Sequence, residues 1–194
     1  MKVVFALSII LSLSSCATSS SRDINYNNIC EIFTSKKRWY KHAKRSTEKW
    51  GGNIHLAMAI IYQESTFNRK ARPKRTKILG FIPGARPSNA YGYSQALKST
   101  FAEYKQATNK GGAKRSRFKD AFDFVQWYIN NTHKRNKVSK WDYKNQYLNY
   151  HEGHGGYARG TYANKAWLIN AAKSVEARSK RYAEQLKSCQ SRLR

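Results

Sequence analysis

Acidic residues are scarce in this chain: 11 Asp and Glu stand against 37 Lys and Arg, a formal net charge of +26 over 194 residues. A field so one-sided draws in polyanions, although part of it is simply a solvated surface. Cysteine is rare as well, with three in all and no cluster that would complete a metal site. Proline also numbers three and is confined to Pro73, Pro83 and Pro87, so the rest of the chain is free to form helices. There is no internal repeat and no second domain boundary, which excludes a solenoid or a tandem array. The length fits one domain with enough volume for a real core. Long apolar runs are missing except for residues 3–13, and that run is too short for a comfortable bilayer span.

The short apolar run has a function of its own. Lys2 gives it a cationic front end, and residues 1–15 read as an export signal. Leu13-Ser14-Ser15-Cys16 resembles a bacterial lipoprotein box, which implies acylation of Cys16. No Asp follows the Cys, and this favours the periplasmic face of the outer membrane if the cell is Gram-negative. Residues 16–26, including Thr18-Ser19-Ser20-Ser21, then form the lipidated N-terminus and a flexible tether. Export argues against nucleic acid as the partner of the positive charge. It also places the remaining pair, Cys30 and Cys189, in an oxidising compartment, where an even count points to one disulfide. The loop closed would be nearly the whole of residues 27–194, for which chain entropy gives about 4–5 kcal/mol. Two unrelated buried thiols are the alternative.

Residues 29–46 place Ile29, Ile32, Phe33, Trp39, Tyr40 and Ala43 at helical spacing, enough for one or two helices. Gly51-Gly52 interrupts them, and Asn53 can cap a helix that runs to Gln63-Glu64. Residues 68–93 hold all three prolines with Gly80, Gly84 and Gly92, so an irregular segment is expected, with short strands around Lys77-Ile78-Leu79. Helical patterns resume at 95–108, 117–132, 141–150 and 165–186, with Phe118, Phe122 and Trp127 as core residues. Gly153, Gly155, Gly156 and Gly160 read as a flexible turn. The predicted fold class is mostly α, a single domain with an irregular or short-strand segment after the helix that ends at Glu64.

Glu64 stands where the apolar pattern Ile54 to Tyr62 runs out. A carboxyl half removed from water there has its charged form disfavoured and its pKa raised. It could then keep a proton near neutral pH and donate it to a leaving oxygen, the first need of glycosidic-bond cleavage. A plain surface Glu at a helix end is the alternative.

Two further segments bear on that choice. Glu64-Ser65 is followed by Gly92-Tyr93-Ser94-Gln95, and then by Tyr150-His151-Glu152-Gly153. Taken in order, these resemble the three-part signature of SLT-type lytic transglycosylases, a family related in fold to goose-type lysozymes. Its usual pattern is Glu-Ser, Gly-Leu-Met-Gln and Ala-Tyr-Asn-Ala-Gly. Tyr93-Ser94 replaces Leu-Met and His151-Glu152 replaces Asn-Ala, so the chain looks like a divergent branch.

The resemblance implies a lysozyme-like fold. It also implies cleavage of the β-1,4 bond between N-acetylmuramic acid and N-acetylglucosamine in peptidoglycan, with Glu64 as the single catalytic acid and base and a 1,6-anhydro sugar as product. Ser65, Tyr93, Ser94, Gln95, Tyr150, His151 and Glu152 are the expected substrate contacts. Peptidoglycan, whose stem peptides carry carboxylates, and anionic head groups beside the anchor are the expected partners of a monomer. No cofactor is implied. His151 and His154 are three apart with a Gly between them, which is not a zincin spacing, so no metal is expected. Two rival readings remain. One is a goose-type muramidase using a second carboxylate, Glu152 or Asp142. The other is a non-catalytic lipoprotein that binds the cell wall through its charge and its 13 Tyr, 5 Trp and 8 Phe.

Overall fold

Residues Leu56 to Ile61 are six apolar side chains in a row, and each is wholly buried. Over this stretch the helix has no face left for water, and the other elements assemble around it; Gln63, on its last turn, is the exposed residue. The structure, a computed structural model, describes residues 24–193. In chain order it contains α1 (Ile29–Ser35), α2 (Lys37–Trp50), α3 (Ile54–Ser65), β1 (Lys77–Ile78), β2 (Ile82–Pro83), α4 (Lys98–Ala107), α5 (Phe118–Asn136), α6 (Tyr143–Ala158) and α7 (Ala166–Cys189), closed by one 3₁₀ turn. The mostly helical fold expected from the sequence is what is found, including two short strands in the proline-rich segment, paired antiparallel.

The start of α3 follows from local chemistry. Gly51 ends α2 in the left-handed region at φ 64, and Asn53 Oδ1 accepts the Leu56 amide at 2.9 Å. Gly52 leaves no room for a side chain, because a Cβ there would lie 2.2 Å from Gln126 Oε1. The long helix α7 packs along α3 and α6, while α5 packs against α2, α3 and α6. Asp123 on α5 ties these layers together. It accepts from Ser46 Oγ at 2.8 Å, Trp50 Nε1 at 3.0 Å and Tyr104 Oη at 2.6 Å, and it pairs with Lys110. Burial alone would raise the Asp123 pKa, but these four donors outweigh it and hold the group below the usual carboxylate range.

Several boundaries differ from the expectation. The glycine-rich stretch after Tyr150 is a turn only in part: the helix breaks at Gly153, where φ is 75° and ψ 158°, but resumes to Ala158, and the turn comes at Gly160, where φ is 70°. Gly156 explains the continuation, since a Cβ there would sit 3.1 Å from Thr161 Oγ1 and 3.2 Å from Glu152 Cβ. The glycine serves close packing rather than a chain reversal. The tether expected to reach residue 26 also ends earlier. Ile24 and Tyr26 pack on the core, and the Tyr26 ring lies 5.2 Å from that of Phe67. Residues 1–15, Cys16 and the serine-rich stretch behind it lie outside the described residues.

Cys30 on α1 and Cys189 at the end of α7 are bonded, with a sequence separation of 159. Opening so long a loop enlarges the unfolded ensemble, while no cleft residue is touched. The double variant Cys30→Ser/Cys189→Ser is expected to lose about 4–5 kcal/mol in urea unfolding and to retain its activity at room temperature. A loss below about 1 kcal/mol would show that the bond does not restrain the unfolded chain.

Candidate active site

Glu64 sits on the last turn of α3, at the wall of a cleft of about 550 Å³. The opposite sides of the cleft come from the loop around Gln95, from Phe124 and Tyr128 on α5, and from Tyr150 to Gly153 on α6. The turn beyond Glu64 is unusual. Thr66 and Phe67 both have positive φ, at 48° and 58°, which is costly for a β-branched and an aromatic residue. Phe67 is held there by burial, with ring centroids of Tyr26 and Trp39 at 5.2 and 5.7 Å.

Burial drives the Glu64 pKa from 4.5 up to about 7, against a smaller downward pull from a hydrogen bond with Tyr147. At neutral pH the group is therefore shared between its acid and carboxylate forms, as a proton donor that must later accept requires. The raised pKa read from the sequence is present. The Tyr147 contact was not foreseen: its signal lies in helical spacing on α6, which marks it only as an apolar-face residue.

The three signature segments meet, and they do so through backbone atoms. Ser65 Oγ donates to the Tyr93 carbonyl at 2.7 Å. Tyr150 Oη donates to the Ser94 carbonyl at 2.6 Å. The first and third segments thus grip the main chain of the second. Ser65, Tyr93 and Ser94 were expected to contact substrate, and here the structure corrects the reading. Ser94 is wholly buried, Tyr93 is 8% exposed in an aromatic cluster with Trp39 and Phe118, and the Ser65 hydroxyl is engaged with the backbone. These three form the frame behind the cleft wall.

Gly92 belongs to the same frame. Its φ is +76°, and a Cβ would lie 2.2 Å from the Arg115 carbonyl oxygen, so both conformation and space require glycine. Gln95 has a positive φ of 44° and donates through Nε2 to the carbonyls of Ala71 and Gly92, at 3.0 and 2.8 Å. With its N–H groups engaged, it can offer a ligand only its carbonyl oxygen. Gln95, Tyr150, His151 and Glu152 all line the cleft with Glu64. Phe124, Tyr128 and Leu97 do so as well, and their apolar character alone does not mark them as cleft residues.

The two rival carboxylates have other engagements. Glu152 accepts Lys165 Nζ at 2.9 and 2.7 Å on its two oxygens, and also the Thr161 hydroxyl and His151 Nδ1. Burial alone would raise its pKa, but these donors bring it down to about 2. Asp142 caps α6, accepting from the Asn145 amide at 3.1 Å and from its Nδ2 at 2.8 Å. His154 is stacked on Tyr128 with centroids 4.4 Å apart, and burial lowers its pKa to about 4. A second groove of about 570 Å³ lies between His42, Arg45, Lys110 and Arg117. Its two carboxylates, Asp120 and Asp123, are paired with Arg117 and Lys110.

A family model for the transglycosylase SLT domain matches residues 4–189, and the chain belongs to this family. No curated protein and no solved structure matches it. Membership supports peptidoglycan lytic transglycosylase activity in general terms.

The raised Glu64 pKa has a consequence for stability. The folded state holds this proton more tightly than the unfolded state, so the group favours folding fully below about pH 4.5. That contribution is lost as pH rises towards 7. Glu64→Gln removes the dependence. Relative to wild type, the variant is expected to gain about 2–3 kcal/mol between pH 4 and pH 8, less than the full shift implies because the group is partly solvated. Urea unfolding at the two pH values measures this, and a difference that does not move with pH would mean that Glu64 is not desolvated.

Proposed function

We propose that this member of the SLT family is a lytic transglycosylase in which Glu64 serves first as acid and then as base. The Glu64 carboxyl gives its proton to the glycosidic oxygen of the departing N-acetylglucosamine as the bond from C1 of N-acetylmuramic acid breaks. The resulting carboxylate takes the proton of the C6 hydroxyl while that oxygen bonds to C1. A 1,6-anhydro ring closes and Glu64 regains its starting state. No water is consumed, and no second carboxylate is required.

One observation carries this reading. Among the carboxyl groups at the cleft, Glu64 alone has a pKa near 7, while Glu152 is held as an anion near 2 by Lys165, Thr161 and His151. A muramidase would need Glu152 or Asp142 as a base free to activate water. Glu152 has both oxygens engaged, and Asp142 is a helix cap. The reading as a passive wall-binding protein leaves the desolvated acid without a use. The lipoprotein box at Leu13 to Cys16 supports placement on the periplasmic face of the outer membrane.

Two variants test the chemistry. Glu64→Gln is expected to lower turnover on purified sacculi by roughly 10²–10⁴-fold, the usual contribution of a general acid. Mass spectrometry of wild-type digests should show anhydro ends, and full activity in the folded variant would remove Glu64 from the mechanism.

Glu152→Gln breaks the pairing that pins residues 161–165 against α6. Turnover is expected to fall by less than about tenfold, with the anhydro product retained. Hydrated reducing ends from wild type, together with an inert but folded Glu152→Gln enzyme, would reassign the protein as a muramidase.

A further inference from the structure

Seven large apolar side chains are exposed among the described residues, and four of them fall within five positions: Ile78 at 54%, Leu79 at 79%, Phe81 at 74% and Ile82 at 43%. They form the tip of the β1–β2 hairpin. Between residues 68 and 90 the sequence has seven Lys or Arg and no acid. Lys74, Arg75 and Lys77 stand exposed just below the tip. The hairpin is thus an apolar point set in a cationic collar.

Folding does not account for this tip. The Phe81 amide donates to the Ile78 carbonyl at 3.3 Å, and the two residues between have φ of 52° at Leu79 and 80° at Gly80. A turn with two positive φ values favours Asn, Asp or Gly at both central positions. Leu79 meets that strain and gains no burial in return. The legs, by contrast, are well built. Gly84 N donates to the Thr76 carbonyl at 2.7 Å, Thr76 N to the Ala85 carbonyl at 2.9 Å, and Arg75 Nη1 to the Gly84 carbonyl at 3.1 Å. At the foot, Gly92 N donates to the Ala71 carbonyl at 2.9 Å, and Pro73 and Ser88 line the cleft. Leu79 is six Cα–Cα steps beyond Pro73, a reach of at most roughly 20 Å.

We infer that the hairpin tip docks on a bilayer rich in anionic phospholipid, with Ile78, Leu79, Phe81 and Ile82 entering the acyl boundary and the collar of Lys and Arg meeting the head groups. The charge complementarity selects this occupant. An apolar point needs an apolar phase, and the exposed Lys74, Arg75 and Lys77 just below it, with no acid between residues 68 and 90, favour clustered anions beside it. A glycan fits poorly, because the exposed tip side chains carry no hydrogen-bonding group. Among the described residues no helix is long and apolar enough to cross a membrane. Because the foot of the hairpin is part of the cleft wall, docking holds the cleft beside the membrane.

Hydrogen exchange on the full chain tests this, read only over residues 76–83 so that contacts of residues 1–23 with lipid do not register. With phosphatidylglycerol-containing vesicles at low salt, these amides are expected to slow several-fold, and high salt should abolish the effect. Vesicles of phosphatidylcholine alone should leave them unchanged. The double variant Leu79→Asn/Phe81→Asn should lose most of that protection, its exchange rates with vesicles returning to within about twofold of those without. It should fold at least as stably as wild type, since Asn suits the positive φ at position 79. Equal protection on neutral vesicles, unchanged protection in the double variant, or protection by sacculi or a protein partner but not by vesicles would each overturn the inference.

Discussion

A helix stretch buried on every side can reach water in only a few ways, and this one does so through a carboxyl group on its last turn. The burial of Leu56 to Ile61 on all sides brings α7 along one flank of α3 and α5 along another. The same enclosure strips water from Glu64 one turn later and lifts its pKa to about 7. Core packing and acid chemistry are therefore one constraint. A polar residue introduced along α3 would weaken the core, and by admitting water it would also return Glu64 towards an ordinary carboxylate. The network around Asp123 shows the opposite solution to the same burial. Four donors keep that carboxyl ionised, which makes it a structural knot joining α2, α4 and α5.

The departures from the usual family pattern become intelligible once the signature is seen as a backbone device. Ser65 and Tyr150 hold the carbonyls of Tyr93 and Ser94, so the side chains at those two positions are free to vary provided they fill the space behind the wall. Tyr93 does so in an aromatic cluster, and Ser94 does so with a hydroxyl that finds no partner. Gly92 has no such freedom, because the Arg115 carbonyl occupies the place of any side chain. Glu152, at a position where the pattern has a small residue, joins Lys165 and Thr161 to α6.

The legible parts of the sequence were those governed by periodicity and local capping. The apolar run into Glu64, the cap at Asn53 and the proline-rich interruption each follow from neighbours within a few residues, and each was found. The misread parts depend on contacts between distant segments. Gly153 to Gly156 looked like a turn, yet Gly156 is small because Thr161 and Glu152 press against it, and α6 runs on. Tyr147, Phe124 and Tyr128 reach the acid or the cleft only because α5 and α6 meet there, and nothing in their own stretches separates them from core residues. Tyr93 and Ser94 were assigned outward because motif position says nothing about which atoms of a residue are used.

The distribution of charge completes the account of the acid. The chain carries 37 Lys and Arg, yet no Lys or Arg is among the residues lining the cleft. A cation beside Glu64 would favour its carboxylate and pull the pKa back down, removing the proton donor at neutral pH. Desolvation and the exclusion of positive charge must therefore act together. The rim shows how this is kept: Lys165, which reaches towards the cleft residue Glu152, is paired to it through both oxygens and contributes little net field. The positive charge is displaced to surfaces such as the hairpin collar, where it can attract anions from a distance. A strongly basic protein can thus hold a neutral carboxylic acid, provided every cation is kept out of the one place where the proton has to stay.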